Sequence, residues 1–202
     1  MRLVWVTLGS ALLGLIGVSG CIFLGQSPIT RAPWLDTSGI EAVVVSLVLG
    51  GCIAGITILS SRFIVRRSVA GRGFAWARAL HSSLRPAFAD QKDGALAVMA
   101  IASGVGEEIF FRGLLSPLVG IVLSSLAFGV LHQVRGRGRW AWAVWATVLG
   151  ASLATLYALT GQLIGPIVAH VAINAANLRF IRDTSVDPQR PRRLGGLLDR
   201  RV

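Results

Sequence analysis

The chain has 202 residues, 53% of them hydrophobic and 14% charged, with a mean hydropathy of +0.68. A soluble domain of this size needs more polar surface, so the composition excludes that class and points to an all-α, polytopic membrane helix bundle. The net charge of +11 falls in the gaps between apolar runs, which fits orientation signals and contact with anionic lipid, and no nucleic-acid partner is expected.

The first apolar run, 3–24, is long enough to cross a hydrocarbon core of ~30 Å at about 1.5 Å per residue. Within it Val18-Ser19-Gly20-Cys21 is similar to a bacterial lipobox, which would lipidate Cys21 and remove the span; the competing reading is a small-residue helix face. The link GQSPITRAPWLDTS leads to a second span at 40–59. The basic segment 62–92 then interleaves Phe74, Trp76 and Leu80 with Arg72 and Arg78, the pattern of a helix lying in the interface. His81, inside that segment, reads as solvated or lipid-facing. A third span is expected from Gly94, a tight turn from Gly113 to Pro117, and a fourth span from Leu118 to Gln133. The basic loop RGRGR at 135–139 precedes WAWAVW, an aromatic helix start of the kind found at headgroup level. A fifth span runs to about Thr160, GQLIGP turns the chain, and a sixth covers 167–181.

Six alternating spans place Arg2, the 62–92 segment, RGRGR and the basic tail on one side, which the positive-inside rule makes the cytoplasm, with both termini there and a multi-pass location in the inner (plasma) membrane. The expected organisation is a two-helix membrane segment with its basic linker at 1–93, a helical core at 94–180, and a basic, poorly ordered tail at 181–202. Cys21 and Cys52 both lie in apolar runs, which argues against a disulfide framework or a zinc knuckle.

Against this apolar background GEEIFFRG, 106–113, is costly: a charge near the middle of a membrane helix costs about 2.5–3.5 kcal/mol on insertion scales. Glu108 and Arg112 are spaced to pair along one helix face, whereas Glu107 points roughly 100° away and has no partner on its own helix. A buried carboxylate of that kind suits a general acid or base. His132 closes the fourth expected span in FGVLH after Phe128, and His170 shares a face of the sixth with Asn174. Each could be interhelical hydrogen-bonding glue, but three spans holding nearly all the ionisable and amide groups point to one shared site. No serine in a GxSxG setting and no neighbouring cysteine offers a nucleophile, so water-mediated hydrolysis is the expected chemistry. Glu107, His132 and His170 could instead hold zinc, although no HExxH helix is present.

EEIFFR at 107–112, FGVLH at 128–132 and HVAIN at 170–174 resemble, in this order, the EExxxR, FxxxH and HxxxN motifs of the CPBP family of intramembrane proteases. That family includes the CAAX prenyl proteases and bacterial members linked to bacteriocin processing or immunity. The resemblance, over about residues 94–180, implies that Glu107 and His132 activate a water, that His170 and Asn174 bind the developing oxyanion, and that Glu108, Arg112 and Phe128 support them. Glutamic-type and metal-dependent mechanisms have both been described for the family, and Asn174 as an oxyanion donor favours the metal-free one. The implied substrate is a membrane protein or a lipidated or C-terminally anchored peptide. A proton-coupled transporter and an inactive immunity or scaffold protein remain alternatives. One feature strains the reading: on straight helices Glu107 would lie ~20 Å along its span, while His132 lies close to the RGRGR loop.

Overall fold

A computed structural model of the chain describes residues 2–132, 134, 136 and 138–186. Seven α-helices account for most of these residues: α1 Arg2–Phe23, α2 Gly39–Val69, α3 Ala75–Phe88, α4 Asp93–Glu108, α5 Ser116–Leu131, α6 Arg139–Thr160 and α7 Ile164–Asp183. A π-helical segment, Ile109–Leu115, joins α4 to α5 without a break. No strand occurs among the described residues beyond one isolated bridge between Thr30 and Gln162. The expected all-α class is observed.

Among the described residues, five helical stretches are long and apolar enough to cross a membrane: Val4–Phe23, Gly39–Val69, Asp93–Leu131, Arg139–Thr160 and Ile164–Asp183. Their outward faces carry exposed Ile22, Ile40, Val122 and Val144, the surface a lipid-facing helix presents. The count differs from the six expected because residues 113–117 do not turn: the helix runs through them, in π form to Leu115 and in α form from Ser116. Reversal occurs instead at Gly120, whose φ of 85° and ψ of 165° lie in a region that essentially only glycine occupies. The arm that follows, Ile121 to Leu131, is about 16 Å long at 1.5 Å per residue, too short for a full span. Gln133, the expected end of that span, and residues 135, 137 and 187–202, which hold parts of the basic loop and tail, fall outside the described residues.

The corner at Gly120 also resolves the mismatch in depth. Gly120 lies about 13 residues after Glu107 and about 12 before His132, so the returning arm brings His132 back to the level of Glu107. A straight helix would have separated the two by about 37 Å.

Around this hairpin the other helices pack closely. α1 runs along α4 and the π segment, with Gly14 against the Gly106 backbone, Gly17 against Phe110 and Gly20 against Leu114. Cys21, on this same helix, is fully buried. The small residues around the lipobox-like stretch therefore form a packing face, as the second reading of that stretch expected. α2, α6 and α7 share a core of Ala54, Leu153, Ala169 and Ile173. α2 runs ten residues past the end of the span expected at 40–59 and takes in SRFIVRRSV.

The interface helix of the basic segment is shorter than that segment, covering Ala75–Phe88. His81 departs from its expected exposure: it is buried, its Nε2–H donates to the Thr184 carbonyl at 2.8 Å, and its ring meets Phe180 edge-on. The polar backbone just past α7 needs a partner at that point, and His81 supplies it. On the same end of the bundle Arg182 binds Asp93 at 2.6 Å and the Gln91 carbonyl at 3.2 Å, tying the end of α7 to the start of α4.

Candidate active site

The site forms where α4, the end of α5 and the middle of α7 meet. A helix places Glu107 and Glu108 on adjacent faces, so each meets a different set of neighbours. Glu108 is fully buried and its Oε1 accepts twice, from Arg112 Nη1 at 2.8 Å and from His170 Nδ1 at 2.7 Å. Arg112 donates from its other terminal nitrogen to the Gly150 carbonyl at 3.0 Å, and its guanidinium lies 4.4 Å above the centre of the Phe128 ring. A buried arginine survives only with such a set of partners: a carboxylate, a carbonyl and an aromatic face. The expected i,i+4 ion pair is thus present, and it also holds a histidine.

Phe128 is the platform of this side. Its ring lies 4.1 Å from that of His132 and meets the rings of His170 and Phe111 edge-on. One aromatic side chain therefore orients both imidazoles and the guanidinium.

Glu107 faces the other way. Its Oε1 accepts a hydrogen bond from Ser10 Oγ of α1 at 2.9 Å. Its Oε2 has no hydrogen-bond partner and lies 3.4 Å from His132 Nε2 and 3.9 Å from His170 Nε2. The Phe128 carbonyl, 2.7 Å from His132 Nδ1, can only accept, so Nδ1 carries the proton and the neutral ring turns an unprotonated Nε2 toward Glu107. His170 is set in the same way, with Nδ1–H directed at Glu108. Glu107 Oε2 and the two imidazole Nε2 atoms, from three helices, thus converge on one point, an arrangement that suits a water placed between them: the carboxylate oxygen accepts, and each Nε2 accepts when its ring is neutral and donates when it is protonated. The His132 side chain is 27% exposed, which leaves this point an approach that the Glu108 side lacks.

Of Glu107, His132, His170 and Asn174, the four expected to act on the substrate, Asn174 is the one held apart from that point. It lies one turn beyond His170 and donates from Nδ2 to Ser103 Oγ at 2.8 Å. Ser103 in turn donates to the Met99 carbonyl and stands one turn before Glu107 on α4. The two pairs form consecutive rungs between α4 and α7. As for a metal, no group of three or more His, Cys, Asp or Glu among the described residues is arranged to hold an ion, so no step is derived through zinc.

Three contributors carried no sequence signal strong enough to find them. Ser10 is a lone serine in an apolar helix, Gly150 acts through its carbonyl, and Ser103 is one serine among several. The only general clue was that polar groups inside a membrane helix require partners.

Residues 94–176 match the family of type II CAAX prenyl endopeptidase Rce1-like proteins. The uncharacterized protein YpbD of Bacillus subtilis (strain 168) is 36% identical over 69 residues, which are 34% of this chain and 36% of that protein. The chain thus spans about a third of the length of this curated relative. No solved structure matches.

Proposed function

We propose, on the support of the match of residues 94–176 to the Rce1-like CAAX endopeptidases, that this chain is a CPBP/CAAX-type intramembrane endopeptidase that hydrolyses its substrate with an activated water. What carries the reading is the convergence of Glu107 Oε2, His132 Nε2 and His170 Nε2 at separations of 3.4 and 3.9 Å. A water held there donates to Glu107 and to His132 Nε2. As its oxygen attacks the scissile carbonyl, Glu107 takes its proton. Negative charge then develops on the carbonyl oxygen. His170 in its imidazolium form, stabilised through Nδ1–H by Glu108, donates to that oxygen from Nε2, and Asn174 contributes its second amide hydrogen. Collapse of the tetrahedral intermediate passes the proton from Glu107 to the leaving nitrogen, and the carboxylate is restored.

The substrate in this proposal is a membrane protein or a lipidated or C-terminally anchored peptide, approaching from the bilayer on the His132 side. The bundle lies in the inner (plasma) membrane with its basic end in the cytoplasm. That end gathers Arg66, Arg67, Arg78 and Arg85, whereas the opposite end, at the α1–α2 link, has Arg31 as its one arginine among the described residues.

The test is to compare the membrane proteins of cells carrying the wild type with those of cells carrying Glu107→Gln, and to follow a protein that accumulates uncut. Glu107→Ala and His170→Ala are expected to abolish its cleavage while the variants remain folded and inserted. Undiminished cleavage in both would exclude the mechanism, and cleavage that a chelator stops and zinc restores would replace it with a metal-dependent one.

A further inference from the structure

The family match begins at residue 94, so α1 lies outside it, yet α1 provides the hydrogen bond to Glu107. We propose that Ser10 is a positioning residue of the active site, whose hydroxyl pins one oxygen of the Glu107 carboxylate and so aims the other at the two imidazoles. Its consequence for catalysis rests on the hydrolytic reading above; the contact itself does not.

The donor is used in an uncommon way for this chain. Hydroxyls on these helices mostly return to a carbonyl of their own helix, as Ser60 does to Ile56, Ser125 to Ile121, Thr147 to Ala143 and Ser152 to Val148. Ser10 instead donates across an interface to a carboxylate 97 positions away, and it is 4% exposed. The backbones around it leave little slack. A Cβ on Gly106 would overlap the Ser10 carbonyl oxygen, and one on Gly14 would come within 3.0 Å of Gly106 Cα. The position of the hydroxyl relative to Glu107 is therefore set by main-chain packing and not by a flexible side chain.

A terminal carboxylate torsion is broad, so the histidines alone would not fix the plane in which the carboxylate presents an oxygen to the water. With Oε1 held at 2.9 Å by Ser10, Oε2 is the oxygen left unpartnered and facing both Nε2 atoms. α1 is then part of the catalytic apparatus, and a chain reduced to the matched residues would lack the group that aims its base.

The chain has three glutamates, Glu41, Glu107 and Glu108, so carboxyl-labelled glutamate gives an infrared spectrum with few contributors. The band lost in Glu107→Gln identifies Glu107 in the purified full chain, with no substrate required. Ser10→Ala is expected to shift that band and Ser10→Thr to return it. On the substrate found as above, Ser10→Ala should lower kcat about tenfold with KM little changed, with Ser10→Thr recovering most of the loss. If Ser10→Ala does not fold, Ser10→Cys, similar in size and a weaker donor, is expected to give an intermediate shift. A Glu107 band unmoved in Ser10→Ala or Ser10→Cys overturns the proposal. A shifted band in a wild-type protein that cleaves nothing supports the contact and overturns the hydrolytic reading alone.

Discussion

Glu107 and Glu108 are neighbours in sequence, but they belong to two different environments. On the Glu108 side, Arg112, His170 Nδ1, the Gly150 carbonyl and the Phe128 face enclose a charge cluster with almost no exposure. On the Glu107 side, one oxygen is held by Ser10, the other has no partner, and His132 is 27% exposed. The difference teaches a division of labour. Each carboxylate keeps one oxygen without a hydrogen-bond partner, but that of Glu108 is sealed among fixed partners, whereas that of Glu107 faces two imidazoles beside the exposed edge of His132, where chemistry is available. His170 joins the two, with one ring nitrogen facing each side.

Substitutions on the two sides should therefore fail differently. The largest effect is expected from Glu107→Ala, which should reduce cleavage by about 10³-fold or more, while the melting temperature of the purified protein stays near that of the wild type. Arg112→Ala should reverse the pattern. It leaves Glu108 buried without its main partner, and about 3–5 kcal/mol of stability should be lost in denaturant unfolding from detergent. If Glu107→Ala proved the more destabilising of the two, the division would be wrong.

Gly120→Ala tests the hairpin that brings the sides together. An alanine at φ 85° and ψ 165° is strained by about 1–3 kcal/mol, and relief of that strain would move His132 away from Glu107, so cleavage should fall together with stability. The smallest effect is expected from Phe128→Leu. It removes the aromatic face under Arg112 and the two imidazoles, which should cost about 1 kcal/mol and slow cleavage severalfold. A Phe128→Leu protein as inactive as Glu107→Ala would make the ring part of the chemistry and not merely its platform.

The sequence by itself determined the class of the fold and singled out the ionisable residues that the structure brings together between α4, α5 and α7. Apolar runs of spanning length can only be helices in a bilayer, because every backbone polar group there must be satisfied within the segment. The cost of charge in such runs singled out Glu107, Glu108, Arg112, His132 and His170 before their positions were known. The i,i+4 pairing of Glu108 with Arg112 was legible because helix periodicity alone places those residues together.

What depends on contacts between distant helices was not legible. A turn at Gly113–Pro117 was a reasonable expectation from glycine and proline, yet the helix runs through both residues and reverses at Gly120, whose φ of 85° and ψ of 165° only glycine readily adopts. The burial of His81 depends on where Thr184 arrives, and the partner of Glu107 depends on how closely α1 can approach Gly106. Local periodicity fixes which residues share a face of one helix. Only tertiary packing decides which face of another helix they meet, and here that decision enclosed one of two adjacent carboxylates as an anchor and turned an oxygen of the other toward two imidazoles.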